Sequence, residues 1–234
     1  MSELAKRSGQ APLARVTLAA QIAERLRADI LSGSLAPKLQ LNEKILALEF
    51  GVSRGPLREA MQGLIQEGLL RNEPHRGVFV SALEEGDLVD VYVVRRALES
   101  AAVERIMNEG NRVAVSRTLH DIAERMDKTV RAHRWKQGGE LDFLFHRALV
   151  DAANSKRLSR TFATVQAETQ LCLHRLMGGY RSTEDLAGEH FELAELLATA
   201  PLPLVLEKLN QHLADPVEAL QRVRQHITSQ ETER

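Results

Sequence analysis

The sequence predicts a mainly α chain: a small N-terminal unit of helices closed by a hairpin, then an antiparallel all-helical bundle of six or seven helices. Three observations carry this. Leu and Ala dominate while aromatics make up only 4% of 234 residues, and straight-chain residues and Ala lose little freedom in a helix. The first eighty residues alternate helix caps, short apolar stripes and glycines. From Glu84 to Gln230 apolar residues recur at helical spacing, broken only at glycine, asparagine and proline punctuation.

Composition sets outer bounds. With 44% hydrophobic residues, a chain this long builds a core for one large domain or two ordinary ones, which excludes disorder throughout. A single Cys, Cys172, excludes an internal disulfide framework and Cys-rich zinc modules, and it points to a reducing compartment, the cytoplasm. Met1 to Val16 holds no apolar stretch of signal-peptide length, and nothing later approaches the roughly 20 apolar residues of a membrane span. The expectation is a soluble, unexported protein with no membrane partner. Net charge is −1, yet the chain is +3 through Val80 and −4 from Ser81 onward. That asymmetry suits a nucleic-acid-facing first part and a differently occupied second part.

Residues 1–16 read as a flexible tail. Thr17 is placed to cap a helix whose Ile22, Leu26 and Ile30 recur every four residues, and Gly33 stands where a left-handed residue would end it. Leu35, Pro37, Leu39 and Leu41 form an extended connector, and Asn42 caps a short helix reaching about Phe50. Gly51-Val52 breaks that helix, and Ser53 caps a third with Leu57, Ala60, Met61 and Leu64 on its inner face. Two short helices about a glycine turn make a helix-turn-helix. Arg54 and Arg58 stand one turn apart off the apolar stripe, at the end where a recognition helix meets base edges. Arginine's fork matches guanine O6 and N7, or two phosphate oxygens. Leu69 to Asn72, the turn Glu73-Pro74-His75-Arg76-Gly77 and Val78-Phe79-Val80 read as a hairpin, completing a winged helix-turn-helix over 17–81. A lone arginine pair also suits a solvated face; the full order of parts favours DNA.

Gly51-Val52-Ser53-Arg54-Gly55-Pro56-Leu57-Arg58-Glu59-Ala60, with Leu64, Glu67-Gly68-Leu69 and the Arg76-Gly77 wing, resembles the DNA-binding half of the GntR family of regulators over about Leu18 to Ser81. The resemblance implies operator contacts from Lys44, Ser53, Arg54, Gly55 and Arg58, and from His75, Arg76 and Gly77 on the wing. Two residues depart from the family pattern. Gly55 stands where the family usually has a DNA-contacting Thr, and Lys38 replaces the usual Gly after Pro37.

Beyond Glu84, Leu88, Val91, Leu98, Ala102 and Ile106 mark one long helix. Breaks are predicted near Gly110-Asn111, Gly138-Gly139, Asn154-Ser155, Gly178-Gly179, Pro201 to Pro203 and Asp215-Pro216. No phosphate-binding glycine loop or nucleophile elbow interrupts them. Asp142 and His146 lie one turn apart on one face, a chelating spacing, while His190 and His212 fall on two further helices. Three imidazoles and a carboxylate suit Zn²⁺, Ni²⁺, Mn²⁺ or Fe²⁺ rather than Ca²⁺. The remaining helical histidines, His120, His133, His174 and His226, fit no constellation.

Asp142-x-x-Phe145-His146, with Ala152-Ala153-Asn154, Glu189-His190 and His212, is similar to the metal motif of the FCD effector domain of FadR-type GntR regulators, here over 84–230. The resemblance makes Asp142, His146, His190 and His212 the ligands of a divalent transition metal, zinc foremost. Arg95-Arg96-Ala97-Leu98-Glu99 resembles the opening of that domain's first helix, which makes Arg95 an effector-binding residue that selects a small carboxylate. The alternative for Arg95 is a surface pair with Glu99. Together these expectations describe a homodimeric, ligand-controlled regulator, a repressor, on pseudo-palindromic operator DNA. The rival metalloenzyme lacks a Glu in a helix-borne His-Glu motif to act as general base; a metal sensor without organic effector is the third reading.

Overall fold

The computed structural model describes residues 17–82, 85–176 and 186–214. The expected tail at 1–16, the breaks at Gly178-Gly179 and Asp215-Pro216, and the side chains of Cys172, His174 and His226 lie outside the described residues.

Helix α1 (Leu18–Leu31) starts where Thr17 accepts the Ala20 N–H at 3.1 Å and buries Ile22, Leu26 and Ile30. It ends just before Gly33, at φ 78°. In the connector Lys38 takes φ 67°, so the residue that stands in place of glycine adopts glycine's conformation. The connector also holds a strand that alternation did not reveal: β1 (Gln40–Leu41) is only two residues long. Helix α2 (Glu43–Glu49) is capped by Asn42, which accepts from the Lys44 and Ile45 N–H groups. Gly51 turns the chain at φ 64° into α3 (Arg54–Gln66), whose Leu57, Ala60, Met61 and Leu64 are buried.

Ser53 precedes α3 in extended conformation but makes no side-chain capping bond, a departure from the cap expected there. Pro56 removes one of the two donors a cap could use. A capping hydroxyl accepts from the second or third N–H of its helix; proline at the third position has none, and the Gly55 N–H at the second is not taken by Ser53.

Strands β2 (Leu70–Glu73) and β3 (Gly77–Val80) form the expected hairpin, with Leu70 opposite Val80 and Glu73 opposite Gly77. β1 pairs antiparallel with the far edge of β3, giving the sheet order β1-β3-β2.

Six described helices follow: α4 (Glu85–Glu109), α5 (Arg112–Arg131), α6 (Trp135–Ala152), α7 (Lys156–Leu176), α8 (Leu186–Thr199) and α9 (202–214). Helix α5 packs on α6 and α8, and α4 on α6 and α7, around Ile106, Leu119, Met126, Phe145, Phe162, Leu197 and Leu209. The breaks at Gly110, Asn154 and Pro201 stand, the first two at positive φ.

The break expected at Gly138-Gly139 does not exist. Both glycines are buried inside α6, and the chain turns earlier, at 132–134, with His133 at φ 56° rather than in a helix. A Cβ on Gly138 would stand 3.1 Å from Val130 Cγ2. That glycine serves close approach to the end of α5, not termination.

Helix α7 also reaches the N-terminal unit. Its Ala167 and Leu171 complete the apolar cluster of Leu26, Leu57 and Leu64, and the Thr164 hydroxyl donates to the Gln66 carbonyl at 3.2 Å. Gly68 sits at φ 77° with its Cβ position 2.6 Å from Glu168 Oε1. Gly68→Ala is therefore expected to destabilise the protein by about 1–2 kcal/mol, from left-handed strain and displacement of Glu168. Urea denaturation checks this; an unchanged midpoint would mean that backbone and Glu168 relax freely.

Candidate nucleic-acid interface and metal centre

Arg54, Gly55 and Arg58 are exposed on α3 beside the uncapped Ser53. Unfilled N–H groups at a helix start, a free hydroxyl and a positive dipole end together suit a phosphate. Lys44 is exposed on α2, and His75, Arg76 and Gly77 are exposed at the hairpin tip, with His75 at φ 62° and Gly77 at φ 99°. The wing is braced from below. Arg76 lies 5.3 Å from the centroid of Phe79 and pairs with Glu73, while the Gln40 side chain donates to the Arg76 carbonyl. One contact escaped sequence reading: Arg58 Nε donates to Glu43 Oε2 at 2.7 Å, joining the first residue of α2 to α3. Fifteen residues separate the two, and no helical period links them.

Asp142, His146, His190 and His212 are all buried, and one ligand atom from each lies within 4.8 Å of every other. Asp142 Oδ1 is 3.0 Å from His190 Nε2 and 3.7 Å from His146 Nε2, and His146 Nε2 is 3.1 Å from His212 Nε2. Adjacent ligands on a first-row ion, at bonds of about 2.0–2.2 Å, stand roughly 3.0–3.5 Å apart, so the 3.0 and 3.1 Å edges fit one ion and the 3.7 Å edge is slightly long. Three different helices supply the set: α6 gives the i, i+4 pair, α8 gives His190 and α9 gives His212. Phe145, itself buried, holds its ring edge-on to His190 with centroids 4.6 Å apart.

Two carboxylates behind the imidazoles settle their tautomers. His146 Nδ1 lies 2.6 Å from Glu99 Oε2, and His212 Nδ1 lies 2.8 Å from Glu189 Oε2. A carboxylate accepts, so each Nδ1 donates and each Nε2 turns a lone pair inward, the orientation found behind metal-bound histidines. Two lone pairs facing each other across 3.1 Å repel unless a cation or a proton lies between them.

Arg95 and Glu99 form no surface pair. Both are buried, with Arg95 Nε 3.0 Å from Glu99 Oε1 and the guanidinium 4.9 Å from the Tyr92 ring centroid. The terminal Nη2 of Arg95 is buried without a hydrogen-bond partner among the described residues, an uncommon and costly condition. Burial works against the charged forms here, and neighbouring charges override it. Glu99 is held below its ordinary value by His146 and Arg95, and Asp142 well below by His146 and His190. His212, by contrast, is driven well below the usual imidazole value by burial and then by His190 and His146. It stays neutral and available as a ligand.

Residues 18–80 match the family described as bacterial regulatory proteins, gntR family, and residues 90–229 match the FCD domain. The HTH-type transcriptional regulator YdhC of Bacillus subtilis is 30% identical over 179 residues, covering 75% of this chain and 78% of its own length. The gluconate operon transcriptional repressor of Bacillus licheniformis is 28% identical over 211 residues, with 87% and 85% covered. The crystal structure of a transcriptional regulator GntR from Rhodococcus sp. RHA1 superposes with a TM-score of 0.69 at 27% identity, covering 87% of this chain and 97% of that one.

Proposed function

This chain belongs to the GntR family of bacterial regulatory proteins and carries an FCD domain, and from that premise we propose a repressor whose operator affinity is set by a small organic acid held beside a metal ion. Membership itself makes the chain a DNA-binding transcription regulator and not an enzyme. No described helix is long and apolar enough to cross a membrane. Operator DNA places the site of action in the cytoplasm. Residues 17–81 form the DNA-binding part, with base and phosphate contacts from Lys44, Ser53, Arg54, Gly55, Arg58, His75, Arg76 and Gly77. Residues 84–230 form the effector part. Two copies acting as a homodimer read successive major grooves, because one module contacts too few base pairs to stand out in a genome.

The observation that carries the effector reading is Arg95 Nη2, buried beside a metal-type donor set and without a hydrogen-bond partner among the described residues. Asp142, His146, His190 and His212 would hold the ion, zinc foremost among Zn, Ni, Mn and Fe, and the ion supplies a Lewis acid for an oxygen donor. A carboxylate satisfies the orphaned guanidinium nitrogen as well, and such charge-assisted bonds are the strong ones. The repressor relative from Bacillus licheniformis governs a gluconate operon, and gluconate is itself a small organic acid. Because Arg95 stands on α4 and Asp142 and His146 on α6, while α7 packs on both helices and completes the N-terminal core, ligand binding and operator binding would be coupled through one helix.

Gel shifts on the intergenic DNA beside the protein's own gene, with and without EDTA and a panel of small carboxylates, test this. The expected result is a discrete complex released by one acid, with release lost after chelation and in Arg95→Ala. A complex that responds to chelator alone would make the protein a metal sensor, and an Arg95→Ala protein with full response would remove Arg95 from the site.

A further inference from the structure

We propose that Glu43 is a positioning residue for base readout: its carboxylate fixes the plane of the Arg58 guanidinium so that the two terminal nitrogens face the operator. The proposal rests on the reading of α3 as the recognition helix.

The Arg58 side chain is 62% exposed, and an exposed arginine samples many rotamers that base recognition must freeze. Glu43 removes much of that freedom before DNA arrives. It sits at the first position of α2, where Asn42 caps the helix and fixes the backbone, and its side chain is only 32% exposed. The 2.7 Å bond goes to Nε, the nitrogen that an end-on fork to guanine O6 and N7 does not need. Both terminal nitrogens stay available, and the guanidinium plane is set from a second helix. Supporting shells of this kind convert a group that is present into a group that is aimed.

The local alternative is that Glu43 merely complements the dipole of α2 as a first-turn acid. The two roles differ in sign on DNA. A carboxylate at a DNA-facing surface repels phosphates, so its removal by charge alone tightens binding to every sequence. If Glu43 aims Arg58, its removal weakens binding to the cognate sequence and leaves or improves binding to random sequence.

The test uses the full chain. A preferred site is selected from a randomised duplex pool with the unaltered protein, and anisotropy titrations at fixed salt then compare that site with a random duplex of equal length. Glu43→Ala is expected to bind the selected site about tenfold more weakly and the random duplex as well or better. Glu43→Gln, whose amide oxygen still accepts from Nε, is expected to fall between. Glu43→Ala combined with Arg58→Ala is expected to be no worse than Arg58→Ala alone, and thermal melts confirm that each variant is folded. Tighter or unchanged binding to the selected site in a folded Glu43→Ala would overturn the proposal while Arg58→Ala still loses preference. Full preference in Arg58→Ala would instead overturn the recognition-helix reading beneath it.

Discussion

Arg58→Ala is expected to abolish sequence preference while leaving the fold intact. One bidentate arginine–guanine contact discriminates by about 1–3 kcal/mol, and the proposed two-fold dimer would make it twice. Preference for the operator over random DNA should therefore fall by roughly one to four orders of magnitude. Random-DNA affinity should change only a few-fold, since one cation per protomer is lost from a set that includes Arg54, Lys44 and Arg76. Stability should hardly move. The ion pair with Glu43 lies at the surface, where such pairs contribute about 0–1 kcal/mol, and the α3 core residues Leu57, Met61 and Leu64 point away from it. Arg76→Ala, at the wing tip, is the informative contrast. Its loss should weaken cognate and random DNA alike and flatten the salt dependence. Retained operator preference in a folded Arg58→Ala protein would remove α3 from the readout.

Local signals in the sequence located most of the helices and the hairpin, and they failed wherever one residue served two masters. Gly51, Gly33 and Gly110 ended helices as glycine often does. Gly138 did not, because the space it leaves is taken by Val130 at the end of the preceding helix, a close approach that no local pattern marks. Ser53 sat where a cap belongs, yet Pro56 three residues later had removed one of the two N–H groups such a cap can take, and the hydroxyl leaves the other untouched.

The candidate metal centre shows the same division. Asp142 and His146 were legible as a pair because one helical turn joins them, while His190 and His212 needed a family resemblance, since no period connects four residues drawn from three helices. Glu99 was visible in the sequence only as a surface partner for Arg95. Burial changes its meaning: the same i, i+4 pair, moved inside, becomes a bridge from Arg95 Nε to His146 Nδ1. Long-range partners such as Glu43 for Arg58 leave no periodic trace at all.

Asp142→Ala is expected to have the second large effect, and the pH dependence of stability tells what lies among the imidazoles. In the unaltered protein, one metal per protomer at a concentration about 1,000-fold above its Kd stabilises by roughly 4 kcal/mol, so EDTA should lower the Tm by about 10 °C. Asp142→Ala should bind no metal by mass spectrometry and melt alike with and without EDTA. The competing arrangement places a proton between His146 and His212. Burial opposes a charged His146, but Glu99 and Asp142 outweigh it and hold this imidazole above its ordinary value. A raised folded value contributes stability that is complete below the unfolded imidazole value of about 6.5 and is lost as pH rises through the folded one. A metal acts with the opposite sign, because its ligands must be deprotonated, so stability holds or grows as pH rises from about 6.5. His212 and Asp142, both shifted downward, act below that window and do not blur the comparison. A Tm that falls with rising pH above about 6.5, together with indifference to EDTA, would replace the metal with a proton shared between His146 and His212.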